Sequence, residues 1–85
     1  MPQITIYTRQ LCGFCNAATH LLKEKGYTFE EVAADSNPAL RSELLELTGQ
    51  STLPQIFVGE ESVGGYRELA IALSDGRFAQ LLEGD

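Results

Sequence analysis

Apolar and polar positions along the chain fall into short β-type runs separated by helical stripes. "QITIYT" (Gln3–Thr8) is rich in β-branched residues and predicts a buried first strand. Phe14, Ala17, Ala18, Leu21 and Leu22 then recur at the spacing of one apolar helix face. Gly26 closes that helix as the residue just past its C-cap. "YTFEEVAAD" supplies a second strand around Thr28–Val32. Asn37 caps and Pro38 opens a second helix, which carries Leu40, Leu44, Leu45 and Leu47 as far as Gly49. "PQIFV" (Pro54–Val58) predicts a third strand. Gly59, Glu60 and Glu61 turn the chain into a brief fourth strand that ends near Gly64 and Gly65. Two short helices follow, Tyr66–Ser74 and Arg77–Leu82, with Gly76 between them.

The predicted order is βαβαββα(α), an α/β class. A helix between the first and second strands, and another between the second and third, favour parallel, right-handed crossovers. The tight turn between the third and fourth strands favours an antiparallel pair. A mixed four-stranded sheet with helices on both faces satisfies these preferences. A length of 85 residues fits one domain, 1–85, and the 44% hydrophobic content argues for a folded core. A net charge of -6 argues against nonspecific binding to nucleic acid or an anionic membrane. No basic leader, long apolar run or lipidation motif stands out, so a cytoplasmic protein is expected.

That expectation bears on "LCGFCNAATHLL", which holds both cysteines, Cys12 and Cys15. Two cysteines dropped at random would land three apart in roughly 2% of arrangements. Permanent disulfide scaffolds usually carry more cysteines and belong to oxidising compartments. A structural zinc site wants four nitrogen or sulfur ligands, and here only His20 could join the pair. An inert pair in the core is a further alternative. The position of the cysteines favours a redox couple. At a helix start, residues three apart share a face, within disulfide reach. Cys12 would lie at or just before the helix N-terminus, where unpaired N–H groups and the macrodipole favour a thiolate. Arg9 adds a positive charge nearby. Cys12 is therefore expected as an exposed nucleophile, and Cys15 as a more buried resolving partner.

Three segments of the chain together resemble the glutaredoxins of the thioredoxin-fold superfamily. "ITIYTRQLCGFC" is similar to that family's strand, basic residue and dithiol; "STLPQIFV" to its Thr–apolar–Pro segment; "VGGYREL" to its Gly-Gly turn and following helix. The resemblance implies a thioredoxin-like fold and a dithiol enzyme that reduces protein disulfides and glutathione mixed disulfides. It implies that Cys12 forms the mixed disulfide and that Cys15 resolves it. It also implies a glutathione site. There Arg9 meets a carboxylate, Phe14 forms an aromatic wall, and Thr52 flanks the groove. Leu53 offers backbone groups beside a cis Pro54, and Gly65 and Tyr66 receive the γ-glutamyl carboxylate through N–H groups. The implied partners are glutathione and disulfide-containing or glutathionylated proteins, met as a monomer.

Two departures widen the reading. The family's usual Cys-Pro-Tyr-Cys is here Cys12-Gly13-Phe14-Cys15. Its Cys-Gly-Phe opening resembles the monothiol branch, which implies, as an alternative, a [2Fe–2S] cluster shared in a dimer with Cys12 as the protein ligand. Arg67 stands where the family usually has Asp, Ser or Thr, and it would repel the glutathione ammonium. Gly65-Tyr66-Arg67 instead resembles a redoxin reduced by thioredoxin reductase and serving ribonucleotide reductase.

Overall fold

A computed structural model describes residues 2–83 of the 1–85 expected as one domain. The elements run β1 (Ile4–Thr8), α1 (Gly13–Glu24), β2 (Glu30–Ala33), α2 (Pro38–Thr48), β3 (Gln55–Val58), β4 (Glu61–Gly64), α3 (Tyr66–Asp75) and α4 (Arg77–Glu83). The sheet order is β2-β1-β3-β4, a mixed four-stranded sheet of the thioredoxin-like kind.

Local chemistry sets most boundaries. Tyr27 N–H reaches Leu22 O and Gly26 N–H reaches Lys23 O, both at 3.0 Å, a Schellman closure that needs the positive φ of 83° at Gly26. At the start of α2, Asn37 Oδ1 accepts the Leu40 N–H at 3.1 Å, and Pro38 needs no N–H partner in the first turn. β2 begins at Glu30 rather than Thr28, because residues 27–29 bring the chain from the helix end back to the sheet. Pro54, with no N–H to offer the ladder, stays just outside β3.

One expectation fails. β1 and β2 are parallel, with Thr5 opposite Glu30, but β3 runs antiparallel to β1, with Ile6 opposite Ile56. The second crossover is therefore not a parallel one. The chain enters β3 at the end of the sheet where β1 finishes, so the 11-residue α2 does not carry it back to the strands' starting edge. This reversal brings the segment before β3 to the cysteines. β3 and β4 are antiparallel as expected.

Strand alternation divides the core in two. Ile4, Ile6, Ile56 and Val58 pack with Ala18 and Leu22 of α1, Leu69 and Ala72 of α3, and Phe78 and Leu82 of α4. Leu22, Leu69 and Phe78 are fully buried, each contributing roughly 1.5–3 kcal/mol of transfer free energy. On the opposite face Phe57, Ala34 and Leu44 form a smaller cluster, with Tyr7, Leu40 and Leu53 at its margin. The larger cluster anchors α1 and α3, the two helices whose N-termini border the site.

Candidate active site

Cys12 is the N-cap of α1, in an extended conformation, and Cys15 lies in the first turn. The two form a disulfide with Cα atoms 5.2 Å apart. Cys12 Sγ also accepts the Cys15 N–H at 3.2 Å, so the sulfur serves as the helix cap. An anionic sulfur there would meet a donor and the positive end of the helix dipole at once. The expected contrast in exposure is corrected: Cys12 is 4% exposed and Cys15 2%. The disulfide tucks Cys12 inward, and the Leu53 carbonyl oxygen lies 3.9 Å from its Sγ.

Leu53 precedes a cis peptide bond to Pro54, as the resemblance implies. Two side chains hold this segment. Arg41 Nη2 donates to Ser51 O at 2.9 Å, and buried Gln55 donates through Nε2 to Gln50 O at 3.0 Å and Thr52 O at 3.1 Å. Sequence reasoning missed both braces. Their partners are backbone carbonyls, which leave no residue pattern to read.

The third part is the start of α3. Gly64 has φ 120°, and a Cβ there would stand 2.8 Å from the Glu68 side chain, so only glycine fits. Glu68 Oε1 accepts the Gly65 N–H at 2.9 Å. The first-turn amides of Tyr66 and Arg67 have no intrahelical partners by helix geometry. Tyr66 packs against Phe14 with ring centroids 5.8 Å apart.

These parts enclose a groove of about 300 Å³ lined by Phe14, Thr52, Leu53, Pro54, Gly65 and Tyr66. Arg67, which the departure from the family pattern set against the glutathione ammonium, and Glu68 line it too. The Gly65-x-x-Glu68 spacing was the available signal for the acid, since a carboxylate three residues into a helix can reach back to the N-cap. Arg9 stands outside this lining. Its Nη1 donates to Gln10 O at 3.1 Å and Leu11 O at 3.3 Å, so it braces the loop leading to Cys12. His20 is solvent-exposed, 3.7 Å from Glu24, and far along α1 from the sulfurs in sequence. A larger cavity of about 490 Å³ between Gln3, Tyr27, Phe29 and Leu82 contains no sulfur, acid or strong base.

Among the described residues no three His, Cys, Asp or Glu side chains gather as a metal site. The cluster implied as an alternative would draw one thiolate, Cys12, from each of two chains and need two further thiolates such as glutathione's to complete a four-thiolate set. The groups of one chain do not by themselves support that alternative. Nor is any described helix long and apolar enough to cross a membrane.

Comparison with known proteins agrees with this geometry. The glutaredoxin family profile matches residues 4–63. A glutaredoxin of Pseudomonas aeruginosa is 43% identical over 82 residues, covering 96% of this chain and 98% of that protein. The solution structure of a Brucella melitensis glutaredoxin is similar with a TM-score of 0.84 at 41% identity, over 96% of this chain and 89% of that one. The crystal structure of a buckwheat glutaredoxin–glutathione complex is similar with a TM-score of 0.86 at 25% identity, over 96% and 77%.

Proposed function

Since the chain belongs to the glutaredoxin family of thiol–disulfide oxidoreductases, we propose that it reduces protein disulfides and glutathione mixed disulfides with glutathione as the electron donor. The observation that carries this reading is the groove beside the Cys12–Cys15 disulfide. Its volume of about 300 Å³ lies at the small end of ligand sites, suited to a tripeptide thiol. It offers backbone groups at Leu53, an aromatic wall at Phe14 and Tyr66, and amide donors at the start of α3. The buckwheat relative solved as a glutathione complex supports the same ligand class.

In the mechanism, the Cys12 thiolate attacks the glutathione sulfur of a mixed disulfide. The substrate thiolate leaves and takes a proton, and Cys12 is left bonded to glutathione. A second glutathione thiolate attacks that adduct, releasing oxidised glutathione and the Cys12 thiolate. For a protein disulfide, the Cys12 thiolate attacks one substrate sulfur, and the other sulfur leaves as a thiolate and takes a proton. The Cys15 thiolate then attacks Cys12 Sγ, expels the substrate sulfur bonded there as a thiolate and forms the Cys12–Cys15 bond, which two glutathiones reopen as they leave as oxidised glutathione. Reduction potentials of this class, about -200 to -230 mV, lie above much of the cytosolic glutathione range. A resting dithiol in the cytoplasm follows, acting as a monomer on disulfide-containing or glutathionylated proteins.

Arg67 favours a second reading, because a guanidinium lining the groove opposes the ammonium of glutathione. That reading is a redoxin driven by thioredoxin reductase and serving ribonucleotide reductase. A coupled assay on one glutathionylated peptide separates the two. Glutathione with glutathione reductase should sustain NADPH consumption, and thioredoxin reductase alone should not. Turnover confined to the thioredoxin reductase arm would reverse the assignment.

A further inference from the structure

Leu11, immediately before Cys12, is 97% exposed. It is also the one non-glycine residue among those described with a positive φ, 55°. Of the other large exposed apolar residues, Phe14 lines the groove, and Leu45, Leu47 and Ile71 lie in helices, where an imperfect stripe leaves some side chains in water. Leu11 is different. Its loop is braced by Arg9 Nη1 bonding the Gln10 and Leu11 carbonyls and by the Gln10 N–H bonding Asp35 Oδ2 at 3.1 Å. If the loop needed only its shape, glycine or asparagine would adopt this conformation at lower cost. The chain instead uses a strained position to hold an isobutyl group in water one residue before Cys12. Strain of this kind concentrates at functional sites.

From these observations we infer that Leu11 is a specificity-determining contact for protein substrates, meeting an apolar side chain next to the substrate cysteine. The inference rests on the redox reading above. The groove across Phe14, Leu53, Tyr66 and Arg67 does not include Leu11, so the two surfaces divide the labour. Glutathione occupies the groove, and the polypeptide that leaves as a thiolate passes over Leu11. The occupant is an extended polypeptide segment with a glutathionylated cysteine and an apolar neighbour. Any such segment has to approach Cys12, and Leu11 is continuous in sequence with that sulfur. Contact there removes from water one of the most exposed apolar side chains of the chain.

The test uses pre-reduced protein and two short glutathionylated peptides that differ only in carrying leucine or serine on both sides of the cysteine. Single-turnover release of the peptide thiol is followed, so the resolving reductant plays no part. The native protein should attack the leucine peptide about tenfold faster. Leu11→Asn, and Leu11→Gly as a second variant, tolerate the positive φ and should bring the ratio close to one. Leu11→Met should keep it, as should Leu47→Asn on α2. Equal rates with the native protein, or a preference that survives both Leu11 variants, would overturn the inference. Failure to release either peptide would remove the redox reading, and this inference with it.

Discussion

α1 and α3 both begin beside the groove, yet they satisfy their first amides in opposite ways. In α1 the capping atom is Cys12 Sγ, which accepts the Cys15 N–H and is, in the function proposed above, also the atom that reacts. In α3 the Gly65 N–H is taken by the carboxylate of Glu68, an acid from the helix itself. α2, capped by Asn37 alone, is the plain case for reference. At α1 the charge that the chemistry requires is the charge that the helix end already favours. At α3 one N-terminal amide is already taken by a carboxylate, with Arg67 beside it. Under the proposed function the first terminus reacts and the second selects.

The largest expected effect follows from the first half of that contrast. Cys12→Ser should drop glutathione-supported turnover to the uncatalysed background. Serine is nevertheless a good N-cap, so the variant should melt at or slightly above the reduced native protein. Cys15→Ser should keep deglutathionylation and lose the route through an intramolecular disulfide. Turnover on a glutathionylated peptide and thermal unfolding in reductant measure both halves. Equal loss of deglutathionylation from the two substitutions would break the division of roles. A large drop in stability for Cys12→Ser would break the equation of cap with nucleophile.

A smaller effect is expected at α3. If the γ-glutamyl end of glutathione lies against this helix start, Arg67 repels its ammonium and an acid there would attract it. Arg67→Asp should raise kcat/KM for glutathione about two- to fivefold, the scale of one exposed charge pair. It should not do so for an analogue lacking the amino group. An equal gain for both thiols would show that Arg67 acts on the groove generally, and the contrast between reaction and selection would lose its second half.

Much of this was legible in the residues, because the informative signals were local. Periodicity marked α1, Gly26 its end, Asn37-Pro38 the start of α2, and the cysteine spacing the site. What was missed depended on direction and on distant partners. Gln55–Val58 is buried at every position, and such a run states that a strand is enclosed but not which way it points. The antiparallel β3 therefore had to come from the structure, and with it the approach of Leu53 to Cys12. Cys12 appeared exposed because helix starts usually are. Cys12 is instead buried, with its sulfur bonded to Cys15 and facing a segment 41 residues away in sequence. Arg9 shows the reverse: a charge near the site is spent on its own loop.

The smallest expected effect lies at the far end of α3, and it tests whether the two carboxylates of this helix are distinct in kind. Asp75 Oδ1 accepts the Arg77 N–H and Oδ2 the Arg77 Nε–H, both at 3.0 Å. The Arg77 backbone N–H, helped by the guanidinium, holds the Asp75 carboxyl below the usual carboxylate range. A depressed pKa means that the charged form favours the fold. The contribution is fully present above the unfolded-state value of about 4, and it disappears as pH falls through the lower folded-state value. Melting curves of the native protein and Asp75→Ala should differ slightly at neutral pH and converge in acid, while turnover with glutathione stays the same. Asp75 ties α3 to α4 and does not line the groove, whereas Glu68 does. If Asp75→Ala changed the KM for glutathione, the selecting role could no longer be assigned to the start of α3 alone.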